Sequence, residues 1–292
     1  MENINYTYST KMLGLVTLYN PDPQEAAANI LRYIHDVDAL IIWDNSPLEV
    51  HLKEQVLESL AEETPKIIWH GDGQNRCIAP AINYAWHYAK EHGFELLLLM
   101  DQDSLWEDFA SYRKDIEKQY YNSMSVFTPY VVGCDTFSIT AVIQEKFLFI
   151  NSGTIIPTEI LSDINHIDEN AFPLDALDND LSLCARERGY KILCLTNHKL
   201  HHSLGQLQHI GFFNILTPNY NSDRTYSIIR SHVICYRKHR ALVSKEYRNY
   251  FYGEIIYYRL IRIIFAEQKK WNKIKAFIKG FISGLSYKLS RI

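Results

Sequence analysis

The sequence predicts an α/β fold in which a Rossmann-like mixed sheet is flanked by helices, followed by a helical and basic C-terminal extension. Short β-rich runs alternate with longer helical patterns over the first hundred residues. Each run is apolar on both faces, as a parallel sheet covered by helices requires. The extension is predicted from charge: from Arg224 onward, 16 Lys and Arg stand against 3 Asp and Glu, while the preceding residues are acidic.

The elements follow in order along the chain. The predicted strands of the first hundred residues are 13–19, 39–44, 66–70 and 95–100, and the predicted helices are 24–35, 47–63 and 79–92. After Trp106 the pattern loosens into a helix at 106–120, strands at 126–132, 147–156 and 191–195, and a helix that begins near Asp178. In such sheets ligands bind at the carboxyl ends of the strands, so those ends hold the first candidates for function.

Composition narrows the class of protein. Of the 292 residues, 47% are hydrophobic and 22% charged, which is typical of a globular chain. The N-terminus lacks a basic stretch followed by an apolar segment, so we expect a cytoplasmic protein. Arg259 and Arg262 interrupt the best candidate for a membrane span. The five cysteines form no CxxC pair, which predicts reduced thiols and neither disulfides nor a zinc site.

Polar side chains follow three of the predicted strands. Tyr19 and Asn20 end the first strand, Asp44 ends the second, and Asp101 and Asp103 end the fourth. Two aspartates one residue apart can both reach Mg²⁺ or Mn²⁺, which prefer oxygen ligands and substrate phosphates. The alternative is that the pair marks a turn, where Asp is common. Three polar strand ends favour one shared pocket.

A second acidic cluster lies at the start of a predicted helix. Asp175, Asp178 and Asp180 are more carboxylates than a helix cap needs, although capping alone explains one of them. A carboxylate that faces the pocket could act as a general base toward a hydroxyl. Farther along, "HKLHHSLG" contains His202, which is either a surface residue or a metal ligand.

Seven ordered segments resemble a known family. They are "TLYNPD" (17–22), "WDNS" (43–46), "NRCIAPAIN" (75–83), "MDQDS" (100–104), "INSGTIIP" (150–157), "LDALDNDLSLCARERGYKI" (174–192) and "HSLG" (202–205). In this order and spacing they resemble family 2 glycosyltransferases of the GT-A fold, and within them bacterial rhamnosyltransferases that build surface polysaccharides. The resemblance covers about residues 12–240.

The resemblance implies a role for each candidate residue. It implies donor contacts from Tyr19, Asn20, Asp44, Asn75, Asn83, Asp101, Arg224 and Arg230, metal contacts from Asp103 and His202, and catalysis by Asp178 as base with Asp180 as its acidic companion. The implied cofactor is a divalent metal, Mg²⁺ or Mn²⁺. The chain departs from the family where glycines after Asn75 and Asn83 are replaced by Cys77 and Ala85. Because of these departures, an enzyme with weakened activity remains an alternative.

The expected activity is metal-dependent transfer with inversion, because one base without a covalent nucleophile implies a single displacement. The favoured donor is dTDP-L-rhamnose and the favoured acceptor a lipid-linked glycan, with residues 1–223 as the catalytic domain. Donors carrying galactofuranose, glucose or galactose remain alternatives, since pocket shape decides among them. A non-catalytic scaffold with the same fold is a further alternative. A nucleotidyltransferase is disfavoured because "TLYNPDPQE" contains neither glycine nor a basic residue.

The C-terminal region, residues 224–292, has three interpretations. Its later part, residues 247–292, interleaves Lys and Arg with aromatic residues and isoleucine. It could pack on the core or form a homodimer, bind nucleic acid, or lie on anionic lipid. Nucleic acid is disfavoured because the acidic remainder of the chain would repel it. The favoured interpretation is a peripheral contact with the inner face of the cell membrane, where lipid-linked acceptors reside.

Overall fold

The computed structural model describes residues 10–60, 65–202, 208–210 and 215–289. Contacts between Cα atoms divide the chain into two compact units. Unit 1 comprises residues 1–167 and 185–203, and unit 2 comprises residues 168–184 and 204–292. The predicted division at residue 223 separates a catalytic domain from a C-terminal contact region, and it stays a prediction. The two compact units have different boundaries.

Within the described residues, unit 1 contains a sheet of nine strands. They are β1 (Met12–Leu18), β2 (Ala39–Asp44), β3 (Ile67–His70), β4 (Leu96–Asp101), β5 (Ser104–Trp106), β6 (Ser125–Val132), β7 (Ile143–Glu145), β8 (Ile155–Pro157) and β9 (Lys191–His202). The order is β3-β2-β1-β4-β8-β6-β9-β5, and β7 also pairs with β9. β1 to β4 run parallel, whereas β8 is antiparallel to β4 and β6. The prediction of a mixed α/β sheet is confirmed.

Burial explains why the first strands are apolar throughout. In β4 the five residues from Leu96 to Met100 are all buried, and only Asp101 is partly exposed. Leu15 and Ile41 of the neighbouring strands are also shielded from solvent. Each such side chain contributes about 1.5–3 kcal/mol by leaving water. The change from apolar to acidic therefore coincides with the point where β4 leaves the core.

Helices flank the strands of unit 1. They are α1 (Pro23–Leu31), α2 (Leu52–Ser59), α3 (Ala79–His92), α4 (Phe109–Tyr120) and α5 (Thr158–Ile164). The Asp22 side chain caps α1 by accepting from the N–H groups of Gln24 and Glu25, and Pro23 occupies the first helical position. Gly93 ends α3 with a φ of +72°, a conformation that glycine adopts without steric cost. The predicted helix at 79–92 is confirmed.

Two strands differ in length from the prediction. The strand expected at 147–156 is reduced to β8, because residues 150–154 form a turn in which Thr154 N–H donates to Asn151 O. The strand expected at 191–195 continues to His202, because its second half pairs with β5 and with the end of β6. The first difference arises from a local turn, and the second from pairing between distant segments, which local sequence does not encode.

Unit 2 is mainly helical, as predicted for the C-terminal extension. α6 (Leu177–Glu187) begins in unit 2, and the boundary with unit 1 falls inside it. The other elements are the antiparallel pair β10 (Gln208–Ile210) and β11 (Ile215–Thr217), α7 (Ser222–Lys238), α8 (Lys245–Tyr250), a π-helical segment (Phe251–Tyr258), α9 (Arg259–Phe265) and α10 (Lys270–Ser286). Their apolar core consists of Ile229, Val233, Phe251, Ile255, Ile263 and Phe277.

α7 and α10 approach each other closely at two glycines. A Cβ on Gly280 would lie 2.6 Å from the backbone oxygen of Tyr226, and one on Gly284 would lie 2.8 Å from Cβ of Val233. These separations are shorter than real Cβ contacts, so only glycine fits at both positions. The spacing of four residues places both glycines on one face of α10.

Two further expectations concern thiols and membrane spans. All five cysteines are free, and Cys184, Cys194 and Cys235 are buried. Across the described ranges, no helix combines the length and apolarity that crossing a bilayer requires.

Candidate functional site

The register of the parallel strands brings three polar strand ends to one edge of unit 1. Thr17 of β1 lies opposite Asp101 of β4, and Leu18 lies opposite Asp44 of β2. Because parallel strands in register finish together, Asp44 and Asp101, the last residues of the two strands that flank β1, lie at the same edge. The register agrees with strand ends that emerge together, whereas the predicted shared pocket stays a prediction.

The backbone after β1 is held from both sides. Tyr19 N–H donates to Oε1 of Gln102 at 2.7 Å, and Asn20 N–H donates to Oγ of Ser46 at 2.8 Å. Asn20 has a φ of +45°, a left-handed conformation that Asn tolerates better than most residues. Both side chains are exposed. The loop therefore has a fixed backbone with side chains available to a ligand.

Asp103 and His202 form a pair at the same edge. Nδ1 of His202 lies 3.4 Å from Oδ1 of Asp103 and 2.8 Å from Oγ of Ser104, which it hydrogen-bonds. Ser152 Oγ donates to Ser104 Oγ at 2.6 Å and accepts from the N–H of Asp101 at 3.3 Å. These contacts connect Asp101, at the end of β4, and Asp103, in the turn that follows, to the last residue of β9. The resemblance implies that Asp103 and His202 both contact a metal; unit 1 brings the two side chains together, and their metal contacts stay a prediction.

The electrostatics of this group are unusual for carboxylates. The pKa of Asp101 is raised to about 6, mainly by burial; the charge of His202 opposes this rise, and the charge of Asp103 adds a smaller contribution to it. The hydrogen bond to Asp103 raises the pKa of His202, although burial acts in the opposite direction. A cation placed here would relieve the repulsion between the two carboxylates. The group thus has the charge of a cation site.

The donor atoms fit a divalent metal of the Mg²⁺ or Mn²⁺ class. Asp103 is exposed and offers carboxylate oxygens, the ligand type that both ions prefer. His202 is partly buried and offers an imidazole nitrogen, which Mn²⁺ accepts more readily than Mg²⁺. Two protein ligands leave positions for oxygens of a diphosphate, as in other phosphate-binding Mg²⁺ sites.

A second cluster with metal-ligand chemistry lies in unit 2. Asp180, Cys235 and His239 are buried with ligand atoms within 4.8 Å of one another. However, Nζ of Lys238 lies 2.9 Å from Oδ1 of Asp180, so the carboxylate already has an ammonium partner. A divalent cation at this point would repel that ammonium. We interpret the cluster as a buried ion network.

A cleft of about 340 Å³ opens beside Asp44. Its walls include Leu48, His51, Leu52, Trp69, Gly71 and Gly73. Oδ1 of Asp44 accepts a hydrogen bond from the N–H of Ser46 at 2.8 Å, which holds the carboxylate in place at the C-terminal end of β2. A Cβ on Gly71 would lie 2.9 Å from Cβ and O of Asp44, so the close approach of the chain to Asp44 just after β3 requires glycine. The cleft is the size of small-molecule pockets.

The segment from Asn75 to Asn83 contains two different environments. Asn75 is exposed, and its Oδ1 accepts from the N–H of Cys77 at 3.0 Å. Cys77 has a φ of +63°. Asn83 is buried in α3, where its amide donates to the oxygen of Ile167 at 3.0 Å and accepts from the N–H of the same residue at 3.2 Å. Its predicted contact with a donor stays a prediction.

The acidic segment of unit 2 separates into two environments. Asp178 is half-buried in the first turn of α6, and its Oδ1 accepts from the N–H of Asn179 at 2.8 Å. Asp180 is buried and accepts from Nε2 of His239 at 2.7 Å, besides its contact with Lys238. One carboxylate is therefore partly open to solvent, and the other is enclosed by cations.

The two predicted arginines also lie in unit 2 and have partners there. Arg224 forms a salt bridge with Asp175 at 2.9 Å. Arg230 donates to the backbone oxygen of Asn170 at 2.7 Å and lies over the ring of Tyr287, 4.9 Å from its centroid. Their predicted pyrophosphate contacts stay predictions.

Three residues at the site escaped prediction. Gln102 and Ser104 interleave with the aspartates in "DQDS", and both make the contacts described above. Tyr33 is buried and lies near Asp101, and its hydroxyl has no hydrogen-bond partner among the described residues. Burial, with a smaller contribution from Asp101, raises its pKa. The alternation of Gln and Ser with Asp was visible in the sequence, whereas nothing local pointed to Tyr33.

The chain is similar to known proteins in structure. No protein-family model matches the chain, and no curated protein matches it significantly. Solved structures are similar to it. Residues 1–349 of S. aureus TarS are 15% identical with a TM-score of 0.58, over 93% of this chain and 81% of that chain. A mannosyltransferase from Pyrobaculum calidifontis, PcManGT, in complex with GDP-Man and Mn²⁺, is 12% identical with a TM-score of 0.56, over 98% and 80%.

A third structure is GalNAc-T7 with UDP, GalNAc and Mn²⁺. It is 11% identical with a TM-score of 0.60, and the alignment covers 91% of this chain. The chain spans 56% of the length of that protein. At these identities the likeness concerns the fold. The chain has the GT-A fold that its motifs predict.

Proposed function

We propose that this protein is a metal-dependent glycosyltransferase that takes its sugar from a nucleotide sugar. The observation that carries the proposal is the pairing of Asp103 with His202 beside Asp101, at the carboxyl edge of the parallel strands β1 to β4. Further support comes from the likeness in fold to GalNAc-T7 and PcManGT, whose structures contain a nucleotide or nucleotide sugar with Mn²⁺.

The donor is proposed to bind along this edge of unit 1. The cleft beside Asp44 would take the nucleobase, and the exposed side chains of Tyr19, Asn20 and Asn75 would contact the nucleotide. Asp101 would accept hydrogen bonds from ribose or sugar hydroxyls. We propose dTDP-L-rhamnose as donor, with galactofuranose, glucose and galactose donors as alternatives that the shape of the pocket decides.

Asp103 and His202 would hold the metal. When bound, a divalent cation neutralises charge on the departing diphosphate as a Lewis acid. The carboxylate of Asp103 supplies the oxygen ligand, while Ser104 orients the imidazole of His202 through its hydrogen bond.

Asp178 is proposed to act as the base. The acceptor hydroxyl oxygen forms a bond to the anomeric carbon as the bond from that carbon to the diphosphate oxygen breaks, and the hydroxyl proton passes to Asp178. A single displacement of this kind inverts the anomeric configuration. Asp180 would act as a companion that holds the first turn of α6 through Lys238 and His239. Arg224 and Arg230 are proposed to contact the pyrophosphate.

The acceptor is proposed to be a lipid-linked glycan in the synthesis of a bacterial surface polysaccharide. The reaction would then take place at the inner face of the cell membrane, with the protein as a peripheral component. The basic C-terminal region supports this location through its attraction to anionic lipid.

Donor binding tests the first part of the proposal. We expect calorimetric titration of the four nucleotide sugars to give binding to one of them in Mn²⁺ and at least about tenfold weaker binding in EDTA, a difference of about 1.4 kcal/mol. Asp103→Ala should remove the metal dependence, and Glu91→Ala, an exposed carboxylate of α3, should leave it intact. If no donor bound with Mn²⁺, the scaffold alternative would replace the enzyme.

Transfer tests the second part. We expect Asp178→Asn to lower the transfer rate at least about 100-fold, since general-base catalysis contributes roughly 10²–10⁴-fold. Donor affinity in the same variant should stay within about twofold of the wild type. Normal turnover by Asp178→Asn would assign the base to another residue while leaving the donor site unaffected.

A further inference from the structure

α10 has an apolar face on each side, and only one of them is packed. Phe277, Gly280 and Gly284 face α7. On the other side Trp271, Ile278, Ile282 and Leu285 are exposed, with 77, 51, 59 and 50% of their surface accessible. At 100° per residue these four side chains fall within about 60° of the helix circumference. They form one stripe along α10, which we call the apolar stripe.

Lysines border the apolar stripe. Lys275 and Lys279 follow on one side of the helix and Lys270 on the other, and all three are exposed. Lys288 follows the end of the helix and is also exposed. α10 contains no Asp or Glu. The apolar stripe therefore lies in a positively charged surface, and α10 itself contributes no acidic residue that would neutralise this charge.

The packed face explains why the stripe cannot simply turn inward. Gly280 and Gly284 bring α10 so close to the backbone of α7 that any other residue would meet it. Rotating the helix to bury Ile278 or Ile282 would replace these glycines with branched side chains in the same space. The close contact fixes the orientation of α10 and keeps the stripe exposed.

The combination of stripe and lysines selects the occupant. A contiguous apolar patch on a surface marks an interaction site, in contrast to single exposed apolar residues. A symmetric second copy would bring the lysines of both helices together, and nucleic acid would leave the isoleucines in water. An anionic membrane surface satisfies both parts, because Trp and Ile reach the acyl boundary while Lys meets the lipid headgroups.

We propose that α10 lies in the plane of an anionic membrane, with the apolar stripe inserted at the headgroup boundary and Lys270, Lys275, Lys279 and Lys288 on phosphate-bearing lipids. This assigns the membrane contact of the C-terminal region to one face of one helix. It rests on the geometry of α10 and on none of the donor chemistry. Vesicle binding and donor binding can therefore fail separately.

The test is co-sedimentation of the full chain with vesicles of phosphatidylcholine alone and with vesicles that also contain about 30 mol% phosphatidylglycerol, whose anionic headgroups give the surface a strong negative charge. We expect binding to the anionic vesicles at least about tenfold stronger, and weakening in high salt because surface charges are screened. The fluorescence of Trp271 should shift to the blue on binding, and Trp271→Phe should remove that shift.

Matched variants separate the stripe from general surface properties. We expect Ile278→Ser with Ile282→Ser, or Lys275→Gln with Lys279→Gln, each to weaken anionic-vesicle binding at least about fivefold, roughly the effect of one basic residue near the surface. The controls Ile139→Ser and Lys90→Gln alter equally exposed residues of unit 1 and should bind as the wild type does. Circular dichroism verifies that every variant is folded.

Three outcomes would overturn the proposal. Equal binding to both vesicle compositions would remove the role of the lysines, and unchanged binding by the stripe variants would remove the role of α10. Self-association of the wild type that the isoleucine variants abolish, measured by light scattering without lipid, would assign the stripe to a second copy of the chain.

Discussion

Nε2 of His239 lies 2.7 Å from Oδ1 of Asp180, and both residues are buried in unit 2. Lys238, Cys184 and Cys235 lie around the same pair. Burial alone would lower the pKa of His239, but the hydrogen bond and charge of Asp180 outweigh it and raise the pKa to about 10. This histidine is thus a cation at neutral pH, and it ties the end of α7 to the first turn of α6.

The first prediction follows from this pKa. In the unfolded chain His239 loses its proton near pH 6.5, whereas in the folded protein it keeps the proton to about pH 10. Its contribution to stability is therefore fully present below pH 6.5 and is lost as the pH rises toward 10, with a slope of at most about 1.4 kcal/mol per pH unit. Urea unfolding at pH 6.5, 8 and 9.5 measures this slope.

Two variants isolate the titration of this histidine. His239→Gln should unfold with a smaller loss of stability over the same pH range, because it lacks the titrating group. His87→Gln, which alters an exposed histidine of α3, should retain the wild-type slope. Identical slopes in the wild type and His239→Gln would show that the pair does not hold a proton in the folded state.

The second prediction separates the two acids of α6 by stability. Asp180→Asn leaves Lys238 and His239 buried without their anion, so we expect a loss of about 3–5 kcal/mol in the free energy of unfolding. Asp178→Asn changes a half-buried carboxylate at a helix N-terminus, where charge is worth about 0.3–1 kcal/mol. Chemical denaturation of both variants makes the comparison. Equal losses would mean that Asp178 belongs to the same buried network.

The third prediction concerns the two positions where the chain departs from the family's glycines. Cys77 has a φ of +63°, which costs a non-glycine residue about 1–2 kcal/mol. Cys77→Gly should therefore stabilise the protein by about 0.5–1 kcal/mol after the greater entropy of the unfolded chain is subtracted. Ala85 lies buried inside α3, where Ala85→Gly should destabilise by about 1 kcal/mol.

Thermal unfolding of the two variants measures these opposite shifts, and each variant serves as control for the other. A loss of stability in Cys77→Gly would mean that the thiol makes a contact worth more than the backbone strain. The departure at Cys77 thus adds strain to the loop beside Asn75, while the departure at Ala85 favours the helix.

The sequence predicted the parts of the fold that depend on local pattern. The apolar run from Leu96 to Met100 predicted β4, and its acidic end predicted where Asp101 and Asp103 emerge. It could not predict that β9 would extend to His202, because that half of the strand is held by pairing with β5, about a hundred residues earlier. The link between Asp103 and His202 came from the resemblance and from no local signal.

In the acidic segment, too, local sequence could not predict how the side chains differ chemically. Spacing alone makes Asp178 and Asp180 equivalent carboxylates in one turn of helix. Their difference comes from Lys238 and His239, which lie about sixty residues later in the chain and contact Asp180. A sequence pattern can therefore propose a group of acids, but the partners that neutralise one of them come from tertiary packing.

The fourth prediction concerns the contact of α10 with α7. Gly280→Ala would place Cβ 2.6 Å from the backbone oxygen of Tyr226, and Gly284→Ala would place it 2.8 Å from Cβ of Val233. Overpacking of this kind costs about 1–3 kcal/mol. It exceeds the gain of up to about 1 kcal/mol that alanine brings to a helix interior. We expect both variants to lose stability in urea unfolding.

Gly253→Ala is the matched control for these two variants. Gly253 lies in the π-helical segment, and a Cβ there would meet no atom within 4 Å. With no steric cost, the helix preference of alanine should leave stability unchanged or raise it by up to about 1 kcal/mol. A stability gain in Gly280→Ala or Gly284→Ala similar to that in Gly253→Ala would mean that α10 has room to move away from α7. The fixed orientation that exposes the apolar stripe would then be lost, because a helix free to shift could also turn Ile278 and Ile282 inward.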